Sequence, residues 1–190
     1  MSKEVIVTKD LSKTYGKGEL KVYALRKTNI SIKQGDYIAI KGPSGSGKST
    51  LAKELCDSER LAYLDLDTLA WEATVPPERK PLSESNQEIQ RFIESSDRWV
   101  IEGCYSDLLE KVAPFSNEII FMNLPIETCI LNAKNRPWEP HKYESKEAQD
   151  ANLEMLINWI SQYNERTDTF SEKSHRALYD AFNGKKTMYG

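Results

Sequence analysis

The residues of this chain best suited to chemistry stand together in one stretch, Gly42-Pro43-Ser44-Gly45-Ser46-Gly47-Lys48-Ser49, followed by Thr50. The stretch matches the phosphate-binding loop (P-loop) pattern G-x-x-x-x-G-K-[ST] at every fixed position. Glycines let the backbone curl so that successive N–H groups point inward at an anion. Lys48 reaches the β- and γ-phosphates of a nucleotide as a point charge, and the Ser49 hydroxyl is offered to Mg²⁺. We therefore expect residues 42–50 to bind nucleotide phosphates.

The segments on either side of this loop are those that the phosphate-binding mechanism needs. Residues 36–41 have the composition of a buried strand. After the loop, Leu51, Ala52 and Leu55 share one face of a predicted helix. A helix that begins here directs the positive end of its dipole at the phosphates. A flexible Gly/Ser surface turn is the alternative, and the strand and helix on either side argue against it.

A pair of carboxylates, Asp65 and Asp67, stands at the end of the next predicted strand, residues 61–66. Neighbouring parallel strands end at the same rim of a sheet, so both carboxylates should face the P-loop. We expect Asp65 to hold Mg²⁺ directly or through water. Asp67 can orient a substrate hydroxyl or accept its proton. The alternative for Asp67 is the N-cap of a helix that begins at Thr68.

Another carboxylate and a glycine, Glu102 and Gly103, stand at the end of the predicted strand 98–103. Glu102 adds negative charge to the same rim, and Gly103 permits a close backbone approach. The sequence supports two interpretations equally. Either the two residues contact the substrate, or the segment is a strand-to-helix turn that is capped by Ser106.

The segment Lys134–Lys142 is basic and contains two prolines. Phosphoryl transfer spreads negative charge over the equatorial oxygens, and an arginine brought over them stabilises that charge. Arg136 is the candidate for this role in a predicted lid. A solvated basic loop is the alternative. His141 and His175 stand alone and are expected to be surface or hydrogen-bonded residues rather than ligands.

The composition describes a chain of 190 residues with 39% hydrophobic and 29% charged residues, which indicates a soluble globular protein. A net charge of -3 does not indicate the excess of positive charge that binds nucleic acid, so nucleic acid is not an expected partner. No apolar run approaches the ~18–20 residues that span a bilayer, and the N-terminus does not resemble a signal peptide. The three cysteines are scattered without a C-x-x-C pair, so we expect buried thiols in a cytoplasmic protein.

Strands and helices alternate along the chain, which predicts a mostly parallel sheet with helices on both faces. We expect one three-layer α/β/α P-loop NTPase domain with an N-terminal β-hairpin and a helical lid. Its parts are predicted as a β addition (1–35), a core (36–133), a lid with a long helix at 145–164 (134–165) and a C-terminal helix at 171–182 (166–190). Another predicted helix is capped by Ser83. No fifth core strand of good length is predicted, so the hairpin is expected to cover a sheet edge.

The first ~50 residues resemble the opening of an ABC transporter ATPase. The resemblance rests on Leu11-Ser12-Lys13-Thr14-Tyr15-Gly16, on Tyr23-Ala24-Leu25 and on Gly35-Asp36-Tyr37 before the P-loop. It implies that Tyr15 stacks on adenine. The rest of the chain has no LSGGQ-type signature, no Q-loop and no apolar run that ends in Asp-Glu. A working ABC dimer is therefore not expected.

From Lys48 onward the chain is similar to small P-loop kinases of the shikimate and adenylate kinase group, including the ATPases named DNA topology modulation protein FlaR. The shared features are the spacing of Asp65 and Asp67, the turn at Glu102-Gly103, and Arg136-Pro137 in the lid. The resemblance implies Mg-ATP as phosphoryl donor, Asp65 near the metal and Arg136 over the phosphates. Shikimate kinases carry three glycines where this chain has Gly103-Cys104-Tyr105, which argues against shikimate as the acceptor.

These features together predict an ATP-dependent kinase for a small molecule with a hydroxyl group. Lys48, Asp67 and Arg136 are the predicted catalytic residues, residues 42–50 and Tyr15 bind the nucleotide, and Ser49 and Asp65 bind Mg²⁺. Asp67, Glu102 and Gly103 are expected to face the acceptor, whose identity the sequence leaves open. The alternatives are a regulatory ATPase that phosphorylates no acceptor and an ABC-type ATP-binding protein.

Overall fold

The computed structural model describes residues 4–15, 22–33, 37–59, 61–140 and 143–190. His141 and Lys142 lie outside these ranges, and the side chain of Tyr15 is not described, so the expectations placed on them stay predictions. The strands are β1 (Glu4–Tyr15), β2 (Val22–Lys33), β3 (Tyr37–Lys41), β4 (Ala62–Asp65), β5 (Trp99–Gly103), β6 (Glu118–Met122) and β7 (Lys185–Tyr189). The helices are α1 (Lys48–Glu59), α2 (Leu82–Glu94), α3 (Ser106–Val112), α4 (Ile126–Lys134), α5 (Lys146–Ala151), α6 (Leu153–Ser161) and α7 (Glu172–Ala181).

The central sheet has five strands in the order β4-β5-β3-β6-β7, and every neighbouring pair is parallel. The strand that leads into the P-loop, β3, therefore lies in the middle. Its side chains alternate between two hydrophobic clusters: Ile38 and Ile40 pack with Leu51 and Leu55 of α1, and Ala39 packs in the other cluster. Helices thus cover both faces of the sheet, which confirms the three-layer α/β/α prediction.

The fifth strand, β7, corrects the prediction that the core lacks one. It pairs with β6 along its whole length, although its side chains are mostly exposed. Glu118, which is 1% exposed, accepts hydrogen bonds from Lys185 Nζ and Thr187 Oγ1, both at 2.9 Å. The sequence Lys-Lys-Thr-Met-Tyr has no strong strand pattern because an edge strand is held by its partner rather than by a buried face.

The N-terminal hairpin, β1 and β2, forms a separate two-stranded antiparallel sheet. The expectation that it covers a sheet edge is therefore wrong in detail, because it does not extend the five-stranded sheet. It docks beside α1 instead: Leu11 packs against the cluster around Leu51, and Lys13 Nζ lies 2.8 Å from Glu54 Oε1. A further link joins the Tyr189 hydroxyl to the Asn29 carbonyl oxygen at 2.8 Å.

Two helix predictions need correction. The long helix expected at 145–164 is two helices, α5 and α6, that meet at Asn152. Helix α2 begins at Leu82 after Pro81, so Ser83 lies inside the first turn and does not cap it. The last helix agrees with its prediction, because the Ser171 hydroxyl caps α7 by accepting a hydrogen bond from the Ser174 N–H at 3.0 Å.

None of the helices in the described ranges is long and apolar enough to cross a bilayer. The cysteines are all free thiols, of which Cys104 and Cys129 are buried and Cys56 is half-buried. Burial raises the pKa of Cys104 and of Cys129 to about 12. Cys104 and Cys129 therefore behave as the small buried hydrophobic groups that the sequence predicts, whereas Cys56 is only half-buried.

Candidate functional site

The P-loop has a backbone that only glycine adopts easily. Gly45 and Gly47 have φ angles of 79° and 85°. A Cβ atom on Gly45 would lie 2.2 Å from the carbonyl oxygen of Cys129, and one on Gly42 would lie 2.4 Å from that of Met122. The loop is therefore pressed against the chain that leaves β6 and against α4, and both the conformation and the space require glycine.

Hydrogen bonds hold the loop in this shape. The Ser46 N–H donates to the Pro43 carbonyl oxygen at 3.2 Å, and the Leu51 N–H donates to that of Gly47 at 2.9 Å as α1 begins. Asn132 on α4 donates from Nδ2 to the Gly45 carbonyl oxygen at 2.8 Å. Asn132 was missed in the sequence, where no motif marks it, because only the tertiary structure brings α4 beside the loop.

Lys48 lies at the start of α1 beside a buried carboxylate. Its Nζ atom is 3.8 Å from Glu102 Oε2, and the two residues are 9% and 1% exposed. Tyr63 donates its hydroxyl to Glu102 Oε1 at 2.9 Å, while Oε2 has no hydrogen-bond partner among the described residues. Burial raises the pKa of Glu102, and the Lys48 ammonium and the Ser49 hydroxyl oppose that rise.

The two aspartates of the rim occupy different positions. Asp65 caps a short 3₁₀ helix, Leu66–Thr68, because its Oδ1 accepts the Asp67 N–H at 2.9 Å. The capping residue is thus Asp65, and not Asp67 as the alternative interpretation held. Asp67 accepts a hydrogen bond from the Tyr105 hydroxyl at 2.8 Å, and that hydroxyl accepts one from Trp71 Nε1 at 2.7 Å. Trp71 and Tyr105 therefore fix the orientation of Asp67.

Gly103 lies where β5 ends and the chain turns into α3. A Cβ atom there would lie 2.9 Å from Cβ of Leu66, so glycine is needed for the packing of β5 against the 3₁₀ helix. The expected Ser106 cap is absent, because Ser106 is the first residue of α3 and the position before it, Tyr105, makes no side-chain cap bond. The structure places Glu102 and Gly103 in the buried wall behind the P-loop.

The lid segment is a loop after α4 that α5 ties in place. Arg136 Nη1 lies 3.0 Å from Glu139 Oε2, and the Arg136 guanidinium lies 5.5 Å from the centre of the Tyr143 ring. Gln149 of α5 is 2% exposed and clamps the loop at two points. It accepts the Glu139 N–H at 2.9 Å and donates to the Pro137 carbonyl oxygen at 3.2 Å. Arg136 is therefore held at a defined place in the loop, partly neutralised by Glu139.

A cavity of about 520 Å³ joins these elements. Its walls include the P-loop, one face of α1, Asp67, the lid segment and, from the described part of the hairpin, Lys13. Lys48, Asp67 and Arg136 all line it, so the structure brings the three predicted catalytic residues to one space. Asp65, Glu102 and Gly103 do not line it.

A second space lies on the other side of the P-loop and is almost filled. It measures about 10 Å³ and is bordered by Ser44, by Cys104 and by residues of the C-terminal part that include Trp159, Arg166 and Phe170. The Arg166 guanidinium lies 3.6 Å from the centre of the Trp159 ring. Aromatic and arginine side chains therefore occupy the region next to Cys104.

The donor groups of the site fit a nucleotide with its Mg²⁺. The described residues include no group of three His, Cys, Asp or Glu side chains that would hold a metal by themselves. Mg²⁺ keeps several waters and binds protein through one or two oxygens when phosphates supply the rest. The Ser49 hydroxyl and the buried Glu102 oxygen beside Lys48 match that pattern, with Asp65 on the neighbouring strand.

Known proteins resemble parts of this chain. The model of the AAA_18 family, described as an AAA domain, matches residues 38–152, which is more than half of the chain. An uncharacterized ABC transporter ATP-binding protein of Methanocaldococcus jannaschii is 51% identical over 47 residues. That match covers 25% of this chain and 20% of the relative, so this chain spans about a fifth of it.

Solved structures also resemble the chain. A shikimate kinase of Acinetobacter baumannii has a TM-score of 0.37 at 15% identity, covering 76% of this chain and 92% of that one. An uncharacterized protein of Eubacterium ventriosum has a TM-score of 0.40 at 17% identity, covering 80% of this chain and 88% of that one. The family match and the short N-terminal match confirm both predicted resemblances, to P-loop domains and to the opening of ABC ATPases.

Proposed function

The chain belongs to the AAA-domain family of P-loop proteins, and we propose that it is a Mg-ATP-dependent phosphotransferase that acts on a hydroxyl group of a small molecule. One observation carries the proposal: Lys48, Asp67 and Arg136 come from three separate parts of the sequence and line one cavity. A cation at the phosphates, a carboxylate and an arginine are the groups that phosphoryl transfer needs.

The donor half of the proposed site is the P-loop. Its backbone N–H groups and Lys48 bind the β- and γ-phosphates, and the N-terminal end of α1 adds the field of its dipole. The Ser49 hydroxyl is a proposed ligand of Mg²⁺, with the buried Asp65 and Glu102 carboxylates of β4 and β5 behind it. Mg²⁺ neutralises phosphate charge when it is bound. The links from Asn132 and from the loop's own backbone keep the N–H groups oriented before the nucleotide binds.

The acceptor half is built around Asp67. Asp67 accepts the proton of the substrate hydroxyl as that oxygen attacks the γ-phosphorus. The bond between the γ-phosphorus and the bridging oxygen then breaks, and ADP leaves. Arg136 supplies positive charge to the equatorial oxygens, while Tyr105 and Trp71 keep the Asp67 carboxylate in place. Glu102 and Gly103, the other predicted acceptor residues, are buried and do not line the cavity.

Lys48→Ala tests the donor half. We expect this variant to lose ATP binding and turnover, because the loop then has no side-chain cation at the phosphates. Isothermal titration calorimetry with Mg-ATP measures the binding. Lys111→Ala, at an exposed lysine of α3, is the matched control. Unchanged ATP affinity and turnover in Lys48→Ala would contradict the proposal.

A second candidate, a regulatory ATPase that phosphorylates no acceptor, is favoured by the filled space beside Cys104. Trp159 and Phe170 leave about 10 Å³ there, which is the size of a single water site. Incubation with γ-³²P-labelled ATP and a pool of metabolites distinguishes the phosphotransferase from the regulatory ATPase. Label on any small molecule supports the phosphotransferase, and label only on inorganic phosphate favours the ATPase.

A further inference from the structure

The cavity at the P-loop extends past the loop itself. Beyond the P-loop, its wall continues along α1 through Lys53, Glu54 and Asp57. An α-helix rises about 1.5 Å per residue, so Glu54 lies about 8 Å and Asp57 about 12 Å along the axis from Ser49. With the phosphates anchored at the start of α1, this part of the cavity faces the rest of the ligand.

The hairpin supplies one wall of this distal part. Lys13 of β1 lines the cavity and pairs with Glu54 at 2.8 Å. The two side chains are 44% and 32% exposed, so the pair lies at the cavity surface and is open to a ligand. The ammonium group of such a pair can donate hydrogen bonds to the acceptors of a ribose or a base edge, and the carboxylate can accept hydrogen bonds from their donors.

The lid supplies an aromatic wall. Trp138 lines the cavity and is 44% exposed, although large aromatic side chains are usually well buried. Its only polar atom, Nε1, already donates to the Tyr143 carbonyl oxygen at 3.1 Å. The surface that Trp138 offers to a ligand is therefore its apolar ring, which suits stacking on a planar group.

We propose that Trp138 and the Lys13–Glu54 pair form a nucleoside subsite, in which the base stacks on Trp138 and the pair bonds the ribose or the edge of the base. The inference rests on the proposed function and adds the part of the site that recognises the nucleoside. It also gives the hairpin a role, because the core alone does not supply Lys13.

The test compares Mg-ATP with Mg-tripolyphosphate by calorimetry on the full chain. We expect Trp138→Ala to weaken ATP binding about tenfold and to leave tripolyphosphate binding within twofold, because only ATP carries a base. Lys13→Met should weaken ATP alone by a few-fold. Trp138→Phe should keep most of the ATP affinity while losing the change in tryptophan fluorescence that ATP produces in the parent protein.

The matched controls are Phe115→Ala and Lys9→Met. Phe115 is a 46% exposed aromatic residue, Lys9 is an exposed lysine of β1, and neither lines the cavity. Retained tripolyphosphate binding shows that each variant is folded at the P-loop. Equal losses for both ligands, or no loss for ATP, would overturn the subsite and leave the P-loop proposal standing. If the parent protein binds neither ligand, both proposals fall.

Discussion

One lysine lies within the phosphate-binding loop and another directly before it, and the fold gives them different surroundings. Lys48 lines the cavity beside Glu102. Lys41, the last residue of β3, is 1% exposed under α7. It donates to the His175 carbonyl oxygen and lies 4.9 Å from the centre of the Phe121 ring. Burial lowers the pKa of Lys41 to about 7, with Asp180 raising it and Arg176 lowering it further.

The stability of the protein should therefore depend on pH through Lys41. Between pH 7 and the ordinary lysine pKa of 10.5, the unfolded chain holds a proton on Lys41 that the folded protein lacks. The free energy of unfolding then rises with pH across this window, by about 1.4 kcal/mol for each unit of pKa difference. Lys41→Met removes this dependence. Denaturant unfolding at pH 6.5 and 9.5 measures the free energy of unfolding of both proteins. The value for the parent protein minus that for Lys41→Met should be larger at pH 9.5 than at pH 6.5.

The control for this prediction is Lys173→Met, at an exposed lysine of α7. Its stability should follow that of the parent protein at both pH values. A constant difference between Lys41→Met and the parent protein would mean that Lys41 stays charged in the fold. His175, whose pKa burial lowers to about 4, is present in both proteins, so its own contribution cancels in the comparison.

Gly45 is the position where one added carbon should do most damage. Alanine at this position would have to adopt a φ of 79°, and its Cβ atom would lie 2.2 Å from the Cys129 carbonyl oxygen. We expect Gly45→Ala to lower the free energy of unfolding by about 2 kcal/mol or more, and to displace α4 from the loop. Gly190→Ala, whose Cβ would lie 3.3 Å from the nearest atom, should change the same denaturation curve little. Equal stability of the two variants would contradict the argument.

At the scale of elements, the site depends on short helices that hold its loops. Helix α4 bonds the P-loop through Asn132, and α5 clamps the lid through Gln149. The 3₁₀ helix after β4 presents Asp67 to the cavity while Asp65 caps it. Each loop that carries a candidate catalytic residue is thus fixed by a neighbouring helix, which orients the residue before a ligand binds.

Gln149→Ala should release the lid. The variant removes both hydrogen bonds to the lid loop and leaves the Glu139 N–H and the Pro137 carbonyl oxygen without this partner. Hydrogen exchange followed by mass spectrometry should show faster exchange across residues 135–140, with weaker ATP binding. Gln162→Ala, at an exposed glutamine of the same region, serves as the comparison. Unchanged exchange in the lid of Gln149→Ala would show that other contacts fix it.

At the scale of the whole molecule, the chain joins a hairpin with an ABC-like sequence to a P-loop core. The hairpin is held by the packing of Leu11, by the Lys13–Glu54 pair and by the bond between Tyr189 and Asn29. The last of these links the N-terminal hairpin to the C-terminal strand β7. That bond therefore joins β2 to the edge strand of the core sheet.

Tyr189→Phe tests this connection. The variant loses the hydroxyl that donates to the Asn29 carbonyl oxygen, and we expect a loss of about 1 kcal/mol in stability. Limited proteolysis should cut the hairpin of the variant faster than that of the parent protein. Tyr179→Phe removes a hydroxyl of α7 away from the hairpin and should leave the rate unchanged. Equal cutting rates in all three proteins would mean that the hairpin docks without this bond.

The sequence by itself determined the P-loop, the strand before it, the helix after it and the parallel α/β class. These features are local: glycine spacing, a buried apolar run and helical periodicity act over a few residues. The P-loop and its two flanking elements therefore needed no knowledge of distant parts of the chain. The carboxylates at 65 and 67 were also marked by their place after a strand.

The tertiary structure decided what lies around the loop. Asn132, Tyr63 and Tyr105 contact the site only because separate elements pack together, and no spacing in the sequence marks them. The sequence likewise does not mark β7, which is a strand because β6 offers it backbone hydrogen-bond partners. Nor does it mark Asn152 as the residue where the predicted long helix divides into α5 and α6. Long-range contacts also place Lys13 of the hairpin in the wall of the cavity, which the order of residues along the chain does not specify.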